Sequence, residues 1–193
     1  GRVPVGEVTV ELEQEVDGEW RATRREPVHT PSGIAYFPNL GLVADPIGAS
    51  DQHYRVRVRW SMGSPLYEGG YPSGQAGALF TIEAWNQYHR PQSKPTAQNV
   101  FLLPGPTYPF PPEVWVLRGR VIDGAGEPVA DALVEQGAQE RVLSDARGEF
   151  ALPLRWVSEG PLAIDFRDHL GRTAIHNISV PDDLGAGHEI IVA

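Results

Sequence analysis

Three arginines alternate along one short segment and are the first candidates for a chemical role. Arg55, Arg57 and Arg59 lie within 54–60, where apolar residues occupy the intervening positions. In a β-strand, residues two apart share a face at a spacing of about 6.6–7 Å. Three guanidinium groups would then line one face and bind carboxylates of a partner protein. The alternative is a solvent-facing surface on which these arginines pair with acidic residues of the same chain.

Four aromatic residues form a second candidate binding set. Tyr67, Tyr71, Trp85 and Tyr88 lie in or beside stretches rich in glycine and proline. Aromatic side chains with a polar tip suit protein interfaces and also stack on sugars. These residues therefore predict a protein or carbohydrate contact, unless they close the open end of a β-sandwich core.

Acidic residues and histidines with metal-ligand chemistry cluster at two places near the end of the chain. The groups are Asp165, Asp168 and His169, and then Asp182, Asp183 and His188. Both fit polar turns better than metal centres. The pair 188–189 begins like a zinc-binding HExxH helix, but residue 192 is valine and the segment has a strand pattern.

Phosphate-binding loops and the nucleophile elbow of hydrolases do not occur in the sequence. We therefore predict that the chain is not an enzyme and has no catalytic, cofactor or metal site. An unrecognised hydrolase or metal enzyme remains the alternative.

Composition excludes several classes of function. The net charge of −9 argues against general nucleic-acid binding, which needs clustered positive charge. The chain has no cysteine, so disulfides and thiolate metal sites are absent. No apolar run approaches the roughly 20 residues of a membrane span, and no signal-like segment is visible. Localisation stays open, with cytoplasmic assembly of an extracellular particle as one possibility.

Alternation of apolar and polar residues predicts an all-β chain without amphipathic helices. The 21 glycines and 18 prolines are typical of short strands joined by tight turns. Two stretches with little periodicity, 61–77 and 86–98, are predicted as long loops. The predicted strands are 8–12, 19–23, 54–60, 79–85, 99–103, 117–121, 132–134, 141–143, 149–154, 161–166, 172–180 and 189–192.

Two strings in the second half carry a family resemblance. GRVIDGAGEPVADALVE (119–135) and SDARGEFALPL (144–154) resemble the carboxypeptidase regulatory-like domain, a small transthyretin-like β-sandwich, over about 117–193. The resemblance implies a fold and, loosely, an accessory role, because the matching residues belong to turns and core. The first string also resembles intradiol dioxygenases, which hold iron with two tyrosines and two histidines. Residues 113–193 contain no tyrosine, so that chemistry is not expected.

A weaker copy of the same pattern is visible in the first half. Residues 3–11 parallel 127–135, and 30–40 parallel 144–154. Five prolines in 104–112 predict an extended, semi-rigid linker. The sequence thus predicts two tandem transthyretin-like or Ig-like sandwiches, 1–103 and 113–193, joined by 104–112. Chance similarity between proline- and glycine-punctuated strands is the alternative.

These features together predict a non-catalytic structural or attachment module that contacts other protein subunits. The family resemblance implies accessory modules of larger assemblies, including phage-tail-like or injection-system particles. Carbohydrate or cell-surface ligand binding through the aromatic loops of the first half is the alternative function. Oligomeric state is not predicted.

Overall fold

A computed structural model describes residues 6–30, 33–67, 70–71, 77–91 and 97–193. These residues form fifteen strands and one 3₁₀ turn, Asp182–Gly185, so the predicted all-β class is confirmed. The strands are β1 (Val8–Val16), β2 (Glu19–Ala22), β3 (Val28–His29), β4 (Ala35–Tyr36), β5 (Gln52–Trp60), β6 (Gly63–Tyr67), β7 (Ala78–Ile82), β8 (Val100–Pro104), β9 (Val116–Asp123), β10 (Leu133–Gln136), β11 (Glu140–Leu143), β12 (Glu149–Pro153), β13 (Gly160–Arg167), β14 (Thr173–Val180) and β15 (His188–Val192).

The N-terminal half is built around β5. Five strands join in the order β2-β1-β5-β6-β8, and a sixth, β7, pairs with the first half of β5. The predicted loop 61–77 was wrong over β6, which occupies 63–67 and pairs with β8. The sequence did not predict β6 because apolar and polar residues do not alternate regularly in its segment, GSPLY. Residues 68–69, 72–76 and 92–96, which fall in the two predicted loops, lie outside the described residues.

One face of this sheet is apolar and is covered by a short segment of the same half. Leu12, Tyr54 and Val58 are buried on it. Gly41 approaches so closely that a Cβ there would lie 2.6 Å from the Glu83 carbonyl oxygen, and its φ of 75° favours glycine. The Gly41 amide donates to the Tyr54 hydroxyl at 3.4 Å. The covering segment is therefore fixed by backbone contacts.

A complete second sandwich in the N-terminal half remains a prediction. Its described residues form the six-stranded sheet and a two-stranded ribbon, β3–β4, in which Val28 is opposite Tyr36. The proposed repeat pairs differently in the two halves: β4 spans two residues, whereas β12 spans five and pairs with β9. Parts of the repeat, 1–5 and 31–32, lie outside the described residues.

The C-terminal half is a β-sandwich of two sheets. One sheet has the order β11-β10-β13-β14, and the other has the order β12-β9-β15 with β15 parallel to β9. Alternate side chains from both sheets meet in a single cluster of buried apolar residues. At its centre the rings of Phe150 and Phe166 pack edge to face, with centroids 5.4 Å apart. This sandwich accounts for the alternation that the sequence shows after residue 116.

A buried serine fixes the point where the chain crosses between the two sheets. The Ser144 hydroxyl donates to the Val129 carbonyl at 2.7 Å and accepts from the Ala132 amide at 2.9 Å. Ser144 itself is 0% exposed. Its hydroxyl satisfies two backbone groups that no strand partner reaches, so the crossing adds no unpaired polar group to the core.

The same hydrogen-bonded turn, built on an aspartate and a glycine, occurs three times in this half. Each turn has aspartate first, glycine fourth with φ of 77–84°, and an aspartate Oδ1 that accepts the amides two and four residues later. The glycine amide also donates to the aspartate carbonyl at 2.8–3.1 Å. The three turns are Asp123–Glu127, Asp145–Glu149 and Asp168–Arg172. Aspartate and glycine are thus required together, since one supplies the acceptor and the other the left-handed conformation.

Two of these aspartates have depressed pKa values. Backbone hydrogen bonds from Glu127 and Ala125 lower the pKa of Asp123 below its ordinary 3.8. Burial of Asp168 acts to raise its pKa, but hydrogen bonds from the Arg172 guanidinium and amide outweigh burial, and the net pKa is lowered. Both carboxylates are therefore charged in the folded protein at neutral pH.

We expect Asp168→Ala to be the most costly of the three aspartate replacements. Asp168 is fully buried and holds two amides together with the Arg172 guanidinium, 2.6 Å away. Loss of these charge-assisted bonds should lower the free energy of unfolding by about 2–4 kcal/mol. Asp145→Ala, in the same turn type but partly exposed, is the matched control and should cost about 1 kcal/mol. Urea unfolding at neutral pH measures both; equal losses would contradict the ranking.

Candidate functional site

The structure pairs the three predicted arginines with glutamates of the neighbouring strand. Arg55 Nη2 lies 2.5 Å from Glu13, Arg57 lies 3.8 Å from the same carboxylate, and Arg59 lies 3.4 Å from Glu11. The β1–β5 register causes this, because it places Glu13 opposite Arg55 and Glu11 opposite Arg57. Local pairing, one of the two alternatives, therefore describes this face, and binding of a partner through it stays a prediction.

Burial differs strongly along the arginine row. Arg55 is 8% exposed, and its guanidinium also lies 4.7 Å from the Trp20 ring centroid. The side chain of Arg59 is 68% exposed. A desolvated pair such as Arg55–Glu13 is costly to break, whereas an exposed pair contributes little. Arg55 therefore has a structural role in holding β1, β2 and β5 together.

The four predicted aromatic residues have separate roles. Tyr67 is buried, and its hydroxyl accepts the Val58 amide at 3.3 Å. The Trp85 indole donates to the Leu40 carbonyl at 2.5 Å. Tyr71 contacts Arg167 of the other half, and Tyr88 is 80% exposed. Three of the four are thus engaged within the chain, and Tyr88 is the one that faces solvent.

A small apolar cluster joins the two halves of the chain. Leu103 of β8 packs with Leu133 and Leu143 of the C-terminal sandwich, and Leu66 and Tyr71 pack against them. The Tyr71 ring also lies under the Arg167 guanidinium, 5.3 Å from centroid to Cζ. We call these residues the junction cluster. Leu103 from the N-terminal half is 8% exposed and Leu143 from the C-terminal half is 1% exposed, so the contact is buried on both sides.

The proline-rich segment contacts both halves as well. The Tyr108 ring packs edge to face on Trp60 of β5, with centroids 6.1 Å apart. The Arg118 guanidinium of β9 donates to the Pro106 carbonyl at 2.9 Å. Pro104 belongs to β8, one residue inside the predicted linker. These contacts attach the segment to both halves of the chain.

The acidic and histidine clusters predicted as possible ligands are arranged differently from a metal centre. Asp165 is exposed, whereas Asp168 is buried and bonded to Arg172. Asp183 Oδ2 accepts the Ser179 amide at 2.6 Å. Among the described residues, no three His, Asp or Glu side chains are placed to hold a metal ion. Within the same ranges, no helix has the length and apolar character that a membrane crossing requires.

Two histidines from opposite sheets of the sandwich are in hydrogen-bond contact. His176 Nε2 lies 2.9 Å from His188 Nδ1, and His188 Nε2 donates to the Asp183 carbonyl at 2.8 Å. Burial and the neighbouring His188 lower the pKa of His176 below its ordinary 6.5, although Asp183 acts in the opposite direction. The sequence does not bring the two histidines together, because spacing along the chain does not reveal contacts across sheets.

A shallow groove of about 560 Å³ runs between the proline-rich segment and one end of the three-stranded sheet. Pro106, Arg118, Glu149, His188 and Glu189 are among its lining residues. Acidic and basic side chains alternate in it, and Arg118 is engaged with the Pro106 carbonyl. The groove therefore favours no single ligand chemistry.

Exposed apolar side chains concentrate in the segment 28–47 of the N-terminal half. We call Val28, Ile34, Tyr36, Leu42 and Ile47 the apolar tips; their exposed fractions are 43%, 59%, 48%, 50% and 72%. Single exposed apolar residues are normal, whereas contiguous apolar patches mark contact surfaces. Val28 and Tyr36 are paired across β3–β4 and lie on the same face of that ribbon. In the sequence these residues look like ordinary strand and turn positions, so they do not stand out there.

Hydrogen bonds hold the backbone of the two isoleucines among the apolar tips. The Thr30 amide donates to the Ile34 carbonyl at 2.9 Å, and the Thr30 hydroxyl accepts the Ile34 amide at 3.1 Å. The Ile47 amide donates to Asp45 Oδ1 at 3.0 Å. Arg25 closes the base of the ribbon by donating to the Pro38 carbonyl at 3.0 Å. Both apolar side chains are thus presented on defined backbone.

Comparison with protein-family models and with curated proteins finds no match to this chain. The resemblance to the carboxypeptidase regulatory-like domain accordingly stays a prediction, and the β-sandwich architecture of 116–192 is what the structure adds to it.

We expect Leu103→Ala to loosen both halves of the chain, because Leu103 packs across the junction cluster. Truncation of a buried leucine should cost about 2–4 kcal/mol. In hydrogen–deuterium exchange, amides of β10 and β11 should then exchange faster along with those of β8. Phe101→Ala, on the same strand at 62% exposure, is the matched control and should leave β10 and β11 unchanged. Faster exchange confined to β8 would contradict a shared junction.

Proposed function

We propose that this chain is a non-catalytic attachment module that binds another protein subunit through the apolar tips. The single observation that carries the proposal is the concentration of five exposed large apolar side chains within 28–47. Such a surface costs free energy in water unless it is covered by a partner. The C-terminal sandwich then serves as the rigid support.

Hydrogen bonds to the backbone support the role of the two isoleucines as anchors. The Thr30 hydroxyl accepts the Ile34 amide, and Asp45 Oδ1 accepts the Ile47 amide. A residue whose backbone is already held loses less conformational entropy on binding, so a small apolar contact can contribute net affinity. A two-stranded ribbon such as β3–β4 is only marginally stable alone, and a partner that covers it would stabilise it further.

The junction cluster supports a fixed orientation of the apolar tips relative to the rest of the chain. Leu103, Leu133 and Leu143 pack across the two halves, and Tyr108 packs on Trp60. An attachment module that sets the orientation of its partner needs contacts of this kind, since a flexible linker would leave the angle undefined.

Several charged side chains form ion pairs within the chain, and this also favours a binding role over a catalytic one. Glu140, 3% exposed, forms a two-point contact with Arg155 at 2.6 and 2.7 Å. Asp168 and Arg55 are likewise engaged with Arg172 and Glu13. These buried charges stabilise turns and strand pairs.

The double variant Ile34→Thr/Ile47→Thr tests the proposed surface. Threonine keeps the branched shape and strand preference but reduces the apolar area. We expect a tagged wild-type chain to capture a defined protein from the producing cells, and the double variant to lose at least about 90% of that capture, as truncation of two anchor residues should. Quantitative mass spectrometry of the captured proteins gives the measurement.

Ile175→Thr/Ile191→Thr is the matched control. These isoleucines are 69% and 57% exposed on the C-terminal sandwich, so the chemical change is the same at a different place. Capture should be retained, and urea midpoints of both double variants should stay near wild type. Equal capture by all three proteins, or equal loss in both variants, would rule out the apolar tips as the contact. A glycan bound by wild type and lost on Tyr88→Ala would support carbohydrate binding instead.

A further inference from the structure

The hydrogen bonds around His188 define the protonation of both histidines in the neutral pair. A carbonyl oxygen can only accept, so His188 Nε2, 2.8 Å from the Asp183 carbonyl, carries the proton. In neutral His188, Nδ1 is then an acceptor. His176 Nε2, 2.9 Å from that atom, must therefore be the donor. The neutral pair has one self-consistent arrangement, with a proton on Nε2 of each ring.

The two histidines lie at the seam between the two sheets of the sandwich. His176 is on β14, an edge strand of the four-stranded sheet, and His188 begins β15, an edge strand of the other sheet. On β14, the inward residues Ile178 and Val180 continue the same face into the core. On β15, Ile190 and Val192 do the same. The imidazole pair thus continues the core at a position where both side chains are only half-buried.

This arrangement accommodates one added proton but not two. Protonation of His188 puts a hydrogen on Nδ1, which would face the Nε2 hydrogen of His176 unless His176 moves its own proton to Nδ1. Protonation of both rings places N–H groups and positive charges against each other at 2.9 Å. We infer that the His176–His188 pair is an acid-sensitive latch, which joins the edges of β14 and β15 near neutral pH and releases them on acidification.

One acidic group, Asp183, partly offsets a second positive charge on the pair. Arg118, Arg120, Glu149 and Glu189 line the groove that His188 also lines, and they contribute two charges of each sign. The residues that face it from β9 and β13 are Gly119 and Ile164, which carry no charge. Asp183, on the 3₁₀ turn, is the charged group that acts on His176 besides His188, and its carboxylate is held by the Ser179 amide. The acidic neighbour thus moderates the repulsion without contacting either ring through its side chain.

The sign of the pH effect follows from the depressed pKa of His176. The unfolded chain binds a proton near the ordinary value of 6.5, whereas the folded chain binds it only at lower pH. Stability from the pair is therefore present above 6.5 and is lost as pH falls from there through the folded pKa. For each pH unit of that depression, the equilibrium constant for unfolding should rise by about tenfold.

His176→Gln tests the latch, because a glutamine amide donates to His188 Nδ1 as neutral His176 does but takes up no proton. Urea unfolding is measured between about pH 7.5 and pH 5 with a chelator present. The wild-type midpoint should fall over this range, and the variant midpoint should fall clearly less. His89→Gln, at an exposed histidine of the other half, is the control and should follow wild type. Equal pH dependence of wild type and His176→Gln would overturn the inference.

Nitrogen-detected NMR of the wild-type imidazoles gives a test that does not depend on the variant folding. At pH 7.5 both rings should carry the proton on Nε2, as the contacts with the Asp183 carbonyl and between the rings require. On acidification, amides of β14 and β15 should exchange faster before those of β10. A His188 ring protonated on Nδ1 at neutral pH, or uniform acceleration of exchange across the sandwich, would overturn the latch.

Discussion

The C-terminal sandwich depends on aspartate carboxylates that satisfy backbone amides where the chain reverses. At Asp123, Asp145 and Asp168 the same oxygen accepts two amides of a five-residue turn, while glycine three residues later takes the left-handed conformation. Tight turns leave amides without strand partners, and an unsatisfied buried amide costs as much as a lost hydrogen bond. The repeated solution fixes turn length, and turn length in turn fixes the register of the strands that bury the core.

The two halves achieve stability by different means. In the C-terminal half, one cluster of buried apolar residues lies between two sheets. In the N-terminal half, the described residues form one large sheet whose apolar face is covered by the segment around Gly41 and Trp85, and whose other face carries the glutamate–arginine row. Such a sheet has less apolar area to bury. The contact through Leu103 therefore contributes a larger share of the stability of the N-terminal half than of the C-terminal half.

Sequence patterns predict most of the strands but not the contacts between them. Alternation of residue types indicated β5, β9, β13 and β14, and burial alternates in the same way along β13 and β14. β6 lacked that alternation and was predicted as a loop. The alternate spacing of the three arginines places them on one face of β5. Only the β1–β5 register shows that Glu13 and Glu11 pair with them. The three aspartate turns are visible in the sequence, since aspartate precedes glycine by three residues at each of them.

The apolar tips and the histidine pair were beyond sequence reasoning for one physical reason. Both depend on where a side chain is relative to distant elements: the 72% exposure of Ile47 is set by how the surrounding elements pack, and His176 meets His188 because two sheet edges converge. Exposed apolar residues cost stability in the isolated chain, and the histidine pair lowers stability only once the pH falls below 6.5. The buried core of the C-terminal sandwich supplies stability that offsets such costs.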